Sequence, residues 1–278
     1  MSTTNRVYHT GRNSTAVRKR RRRRQRIRRL KQTVVCIGTV FLICGGIILF
    51  GTDRIQGVWR GEEAQAKEFL ENQQKEDYPQ ELLELLEKNS ETYDFVTSYP
   101  ERDKYMGKEI DLTGEIKSGE VPLFLQWDRR WGYDDYGSEM IALAGCGPTC
   151  MSMAYTYLTG ETDMNPREMA EFAEENGYNT EAGTSWSFFT DGAEQLGLKG
   201  AEIGLDEAKM KEVLDEGKVI ICSMRPGDFT TTGHFILIRE YDRKGFLVND
   251  PNSKERSKQH WEYDVLYSQI KCLWSIGG

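Results

Sequence analysis

Histidine is scarce in this chain: three in 278 residues, with six cysteines and seven prolines. Cys146 and Cys150 stand four apart, but no second His or Cys pair at ligand spacing accompanies them, which argues against a metal centre. No glycine loop is built to cradle phosphate, no internal repeat is found, and no proline-rich linker divides the chain. Acid is missing from residues 1–32, which hold thirteen of the 37 Lys and Arg. That leaves 24 basic against 44 acidic residues in 33–278, a charge near −20 that the overall −7 conceals. Residues 33–50 lack both charge and proline.

These gaps set the domain plan. A basic run over 18–24 could bind nucleic acid. The apolar segment that follows at once, nearly long enough to match a bilayer core, points instead to a membrane. An excess of Lys and Arg on its N-terminal flank, with Asp53, Glu62 and Glu63 beyond, places the N-terminus inside and the rest outside. A cleaved signal peptide is the competing reading, but the only small-x-small site, Ala64-Gln65-Ala66, lies far past the apolar end. Cys44 follows Ile43 where lipidation would want a small residue. The expected layout is a basic cytoplasmic tail (1–32), a transmembrane helix (33–51), a helical stalk or linker (52–118) and a globular domain (119–278). Within the stalk, residues 62–73 are polar nearly all round and suit a solvated helix. Leu82, Leu83, Leu85 and Leu86 form an apolar stripe, continued by Phe95, Val96 and Tyr99, that predicts packing on the domain that follows.

In that domain the pattern is helices first, strands later. Helices are predicted from Cys146 to Gly160, from Asn165-Pro166 to about Asn176, from Ser185 to Leu196, and from Asp206 to Glu216. Short β-branched or aromatic runs follow at 218–224, 234–241, 245–249 and 271–276, with a hairpin at Gly245. This is an α+β order. His260 and Trp261 are read as opening a last helix.

The chemistry centres on Gly145-Cys146-Gly147-Pro148-Thr149. Two glycines permit backbone angles that a side chain would forbid, and Pro148 suits a first helical turn. A thiol there sits beside unpaired N–H groups at the positive helix end, which favours thiolate and could hold an oxyanion. A buried structural cysteine is the bland alternative. His234 begins one predicted strand and Asp250 ends its antiparallel partner, which places imidazole and carboxylate side by side as base and orienter. Read singly, His234 is a strand histidine and Asp250 a turn residue before Pro251. Cys150, Cys222 and Cys272 read as core residues, with a disulfide between two of them left open. Asp128 is a reserve carboxylate, Asp242 a turn residue, and Trp186 and Phe188 are read toward the core.

The Gly-Cys-Gly-Pro-Thr turn, Gly233-His234-Phe235, Asn249-Asp250-Pro251 and the upstream Gln126-Trp127-Asp128 together resemble the bacteriocin-processing, double-glycine type of cysteine peptidase, in the branch that stands apart from an ABC transporter. The likeness covers roughly residues 120–255. It implies a papain-like fold, N-terminal helices packed on an antiparallel sheet, with Cys146 as nucleophile, His234 as general base and Asp250 as orienter. It also implies that Gln126 donates to the oxyanion, although a surface loop position remains the alternative. Gln126 lies twenty residues before Cys146, whereas transporter-linked members keep this interval to a few residues, so a different substrate groove is expected. No ATP-binding domain follows, and export-coupled leader removal does not carry over.

The expectation is therefore a membrane-anchored, outward-facing cysteine peptidase on a bacterial cell surface. It needs no cofactor, metal or nucleic acid and acts on a peptide or cell-wall peptide. A non-catalytic peptide- or cell-wall-binding module on the same scaffold is the alternative, and hydrolysis is not separated from transfer to an amine. Substrate identity and oligomeric state are not legible.

Overall fold

The computed structural model describes residues 61–71 and 78–278. Residues 62–278 form one compact unit. The expected tail and membrane span lie outside the described residues, among which no helix is long and apolar enough to cross a membrane.

Helix α1 (residues 61–71), α2 (Gln80–Lys88) and α3 (Tyr93–Thr97) come first. Next come a two-strand ladder, β1 (Asp135–Tyr136) with β2 (Glu139–Met140), one short helical turn, α4 (Ile141–Ala144), and the long α5 (Cys146–Thr159). Helix α6 (Pro166–Glu175) is capped by the Asn165 side chain, which accepts from the Arg167 N–H at 3.0 Å. A second ladder, β3 (Asn179–Thr180) with β4 (Gly183–Thr184), leads to α7 (Asp191–Gln195), β5 (Lys199–Glu202) and α8 (Glu207–Asp215). The chain closes with β6 (Val219–Met224), β7 (His234–Asp242), β8 (Gly245–Asn249), α9 (Lys254–Lys258), β9 (His260–Trp261), α10 (Tyr263–Gln269) and β10 (Ile270–Gly277).

Strands β5 to β10 make one antiparallel sheet in the order β5-β10-β6-β7-β8-β9. Both of its faces are covered. Val219, Ile221, Phe235 and Leu237 point into a core shared with α5 and α6, while Ile220, Cys222, Ile236 and Ile238 point into another that holds Met210 of α8 and Leu266 of α10. Burial on both sides is why β6 reads as a continuous apolar run instead of alternating. The edge strand β5, Lys-Gly-Ala-Glu, carries no such pattern and was not foreseen in the sequence.

Three local expectations are corrected. Residues 185–196 do not form one helix: a 3-10 turn over Trp186–Phe189 precedes α7. The break lets Phe188 and Phe189 both enter the core and leaves Trp186 40% exposed, edge-on to Trp274. His260 and Trp261 form strand β9 against Leu247 and Phe246, since Trp261 buries its ring on Phe229. Helix α1 is not a free solvated spacer. Ala66 is buried and Phe69 and Leu70 pack with Leu82, Leu86, Phe95, Trp127 and Tyr133. A fully buried Leu or Phe contributes about 1.5–3 kcal/mol over exposure, enough to dock short helices that would not be stable alone.

Candidate active site

Cys146 opens α5 and is partly exposed. Its flanking glycines are required for space and not for unusual torsions, which corrects the sequence reading. Gly145 has φ −83° and Gly147 is not in the positive-φ region. A Cβ on Gly145 would stand 2.6 Å from the Ile141 carbonyl oxygen, and one on Gly147 2.6 Å from Thr184 Oγ1. The turn is pressed between α4 and β4. The Cys146 N–H falls in the first turn of the helix, where no intrahelical acceptor is available.

Across from it, the register of β7 with β8 brings the two later residues together. His234 starts β7 opposite Met224, Leu237 pairs with Asn249, and Asp250 follows β8 directly. His234 Nε2 lies 2.8 Å from Asp250 Oδ1, with both side chains buried. That contact leaves Nδ1 as the ring nitrogen available to Cys146, whose thiol is among the groups that raise the His234 pKa. Burial alone would lower the His234 pKa; the Asp250 carboxylate, with hydrogen bonds to Asp250 and Cys146, outweighs it and pushes it up to about 10. Asp250 would be raised by burial, but His234 and Arg256 hold it below the ordinary carboxylate range.

Asp250 is the most heavily tethered group of the site. Its Oδ2 accepts from Arg256 Nε, its Oδ1 from the Asn252 N–H at 2.8 Å, and its own N–H donates to Ser257 Oγ at 2.8 Å. Sequence reasoning missed Arg256, because five residues of irregular chain and short helix separate it from its partner and no motif announces it.

Gln126 is buried beside this pair of turns. Its backbone N–H donates to the Pro251 carbonyl at 2.8 Å and its Nε2 to the Ala142 carbonyl at 2.7 Å, while Oε1 is buried without a protein partner. The amide nitrogen carries two hydrogens, and the bond to Ala142 uses one of them. The surface-loop alternative for Gln126 does not hold. Asp128, the reserve carboxylate, is taken by Arg130 at 2.7 Å. Cys150 lies one turn along α5, fully buried, and burial first, then the charges of Cys146 and Asp250, pushes its thiol well up. Cys146, Cys150, Cys222 and Cys272 are all free thiols.

A partly exposed thiol on a helix N-terminus, facing an imidazole and carboxylate at the end of an antiparallel sheet, is the arrangement of the papain-like class. Residues 119–276 match the Peptidase_C39 like family. That span is more than half of the chain, and the chain belongs to this family. No curated protein matches it. Among solved structures, a crystal structure assigned as a C39-like peptidase from Bacillus anthracis is similar at 16% identity and TM-score 0.36, covering 58% of this chain and 96% of that one. So loose a superposition supports no structural argument.

Proposed function

We propose that this protein is a single-pass membrane protein whose papain-like domain faces outward and hydrolyses a peptide or amide bond through an acyl-enzyme. The observation that supports the chemistry best is the buried His234–Asp250 pair at 2.8 Å, whose imidazole also interacts with the partly exposed Cys146. The membrane assignment rests on residues 33–51 and their basic flank.

In the proposed cycle the Cys146 thiolate, whose proton His234 Nδ1 already holds, forms a bond from Sγ to the substrate carbonyl carbon. Asp250 keeps the imidazolium oriented and balances its charge. The oxyanion is held by the Cys146 N–H and the second Nε2 hydrogen of Gln126. His234 then returns the proton to the leaving amine as the C–N bond breaks. A water, deprotonated by the now neutral His234, attacks the thioester carbonyl, and the carboxylic acid leaves as the C–S bond breaks and the thiolate–imidazolium pair is restored. No step requires an oxidant or a metal.

The test treats the full chain in detergent with a peptidyl electrophile selective for activated thiols, near neutral pH, and maps the adduct by mass. One adduct on Cys146 is expected, absent in Cys146→Ala and slowed in His234→Ala. Labelling no faster than a free model thiol, in a folded sample, would refute the hydrolase reading and leave a binding module on the papain-like scaffold.

A further inference from the structure

The segment that matches the family begins at residue 119, yet side chains from residues 89–91 reach the loop that carries Asp250. Glu91 accepts hydrogen bonds from the Ser253 hydroxyl and from the Lys254 N–H, the latter at 2.7 Å. Asn89 Nδ2 donates to the Asn252 carbonyl at 2.6 Å, and Trp127 Nε1 donates to the same oxygen at 3.2 Å. These contacts converge on the knot between Asp250 and Ser257. Inside that knot, Ser253 Oγ accepts from the Arg256 N–H at 3.1 Å and Ser257 Oγ donates to the Ser253 carbonyl at 2.7 Å. Arg256 in turn holds Asp250 Oδ2. A continuous path of hydrogen bonds therefore runs from Glu91 through Ser253 and Arg256 to the carboxylate beside His234.

We infer that Glu91, with Asn89, is a positioning residue for the proposed thiol site: the helical segment before the family domain completes the active site by fixing the Asp250 loop in register with His234. The inference rests on the hydrolase reading for its catalytic consequence and on the contacts alone for the geometry. Glu91 touches no reacting atom. It sets where Arg256 and Asp250 stand, and a loop held from one side only would let the carboxylate drift from the imidazole. A displacement of that kind weakens the charge–charge interaction that keeps the imidazole protonated. The charged groups around the junction are Glu62 from α1, Asp94 from α3, and Lys254 and Lys258 from α9. Those facing Asp250 are His234 from β7, Arg256 from α9, and the thiol of Cys150 from α5. Glu91 and Glu62 interact as like charges, and the hydrogen bonds from Ser253 and Lys254 hold Glu91 on the loop.

Three histidines in the chain make a direct test practical. The His234 imidazole is titrated by NMR in the full chain in detergent, for wild type, Glu91→Ala and Glu91→Gln, and the rate of Cys146 alkylation by iodoacetamide is measured on the same samples. The Glu91→Ala midpoint should fall by about one pH unit, and the alkaline limb of the Cys146 alkylation profile should move down with it. Glu91→Gln, which keeps an acceptor oxygen for Ser253 and Lys254, should recover most of both. A residue of merely structural value would lower the melting temperature and leave the midpoint in place. A wild-type midpoint in folded Glu91→Ala would overturn the inference. Should Glu91→Ala fail to fold, Asn89→Ala and Glu91→Gln give the same comparison through the remaining contacts. A wild-type chain that alkylates no faster than His234→Ala would sink the hydrolase reading, while the titration would still decide whether Glu91 positions the pair.

Discussion

Two histidine–aspartate pairs sit at opposite ends of the same β7–β8 hairpin. His234 meets Asp250 at 2.8 Å where β7 begins and β8 ends; His260 of β9 meets Asp242 at 3.0 Å where β7 ends. The pair chemistry is the same, and the surroundings differ. His234 and Asp250 keep 7% and 0% of their side-chain surface exposed, against 27% and 48% for His260 and Asp242. Only the first pair has a thiol within hydrogen-bond reach and a guanidinium behind the carboxylate. Asp242 also caps its own hairpin by accepting from the Lys244 N–H at 2.7 Å, which holds its carboxyl below the usual range. What separates a candidate active site from a surface ion pair here is thus burial and a third partner, since solvent screens the exposed pair.

Four measurements would break or sharpen that contrast. The largest effect should be on rate: His234→Ala is expected to slow Cys146 acylation by about 10³-fold or more, whereas His260→Ala should leave it within about twofold of wild type. Equal losses from the two variants would remove the contrast altogether. Stability comes next. Asp250→Ala strands a buried Arg256 contact and a buried imidazole and should cost about 3–5 kcal/mol in denaturant unfolding, while Asp242→Ala should leave the unfolding midpoint close to wild type.

Gln126→Ala should slow turnover about 10²-fold with little change in substrate binding, as expected for a donor that acts on the transition state. A matching rise in KM with unchanged kcat would assign Gln126 to substrate binding instead. The smallest effect is in pH dependence. His234 is raised from 6.5 to about 10, so its contribution to stability is complete below pH 6.5 and disappears as pH climbs through about 10. Asp250 is lowered from 3.8, so its contribution holds above pH 3.8 and is lost as pH falls through its folded value. The melting-temperature gap between wild type and His234→Gln should therefore be widest near pH 5–6.5 and close toward pH 10. A gap that widened on the alkaline side would mean that the pair does not hold its charge.

Much of this was legible along the chain because its causes are local. Periodicity located α5, α6, α8 and the strands β6, β7, β8 and β10. The cap at Asn165 and the turn at Gly245 marked their ends. The Cys146 turn and the starts and ends of β7 and β8 made the side-by-side placement of His234 and Asp250 a consequence of strand register. Local signals failed where distant surfaces decide. The kink at Trp186–Phe189 follows from the demand that both Phe188 and Phe189 enter one core. Strand β9 exists because β8 offers an open edge, and the glycines around Cys146 are there because Ile141 and Thr184 press on the turn.

By itself, then, the sequence determined the α+β order, the helix that bears the thiol, the strand ends that bear the imidazole and carboxylate, and the charge division between residues 1–32 and the rest. Each of these depends on residue type and on spacings of a few positions. The tertiary structure alone decided that Arg256 closes on Asp250, that Gln126 is pinned between Ala142 and Pro251, and that Asn89 and Glu91 grip a loop some 160 residues away in the chain. The reason is physical: hydrogen bonds between residues so far apart in sequence form only after loop closure, when packing has already brought the two segments together.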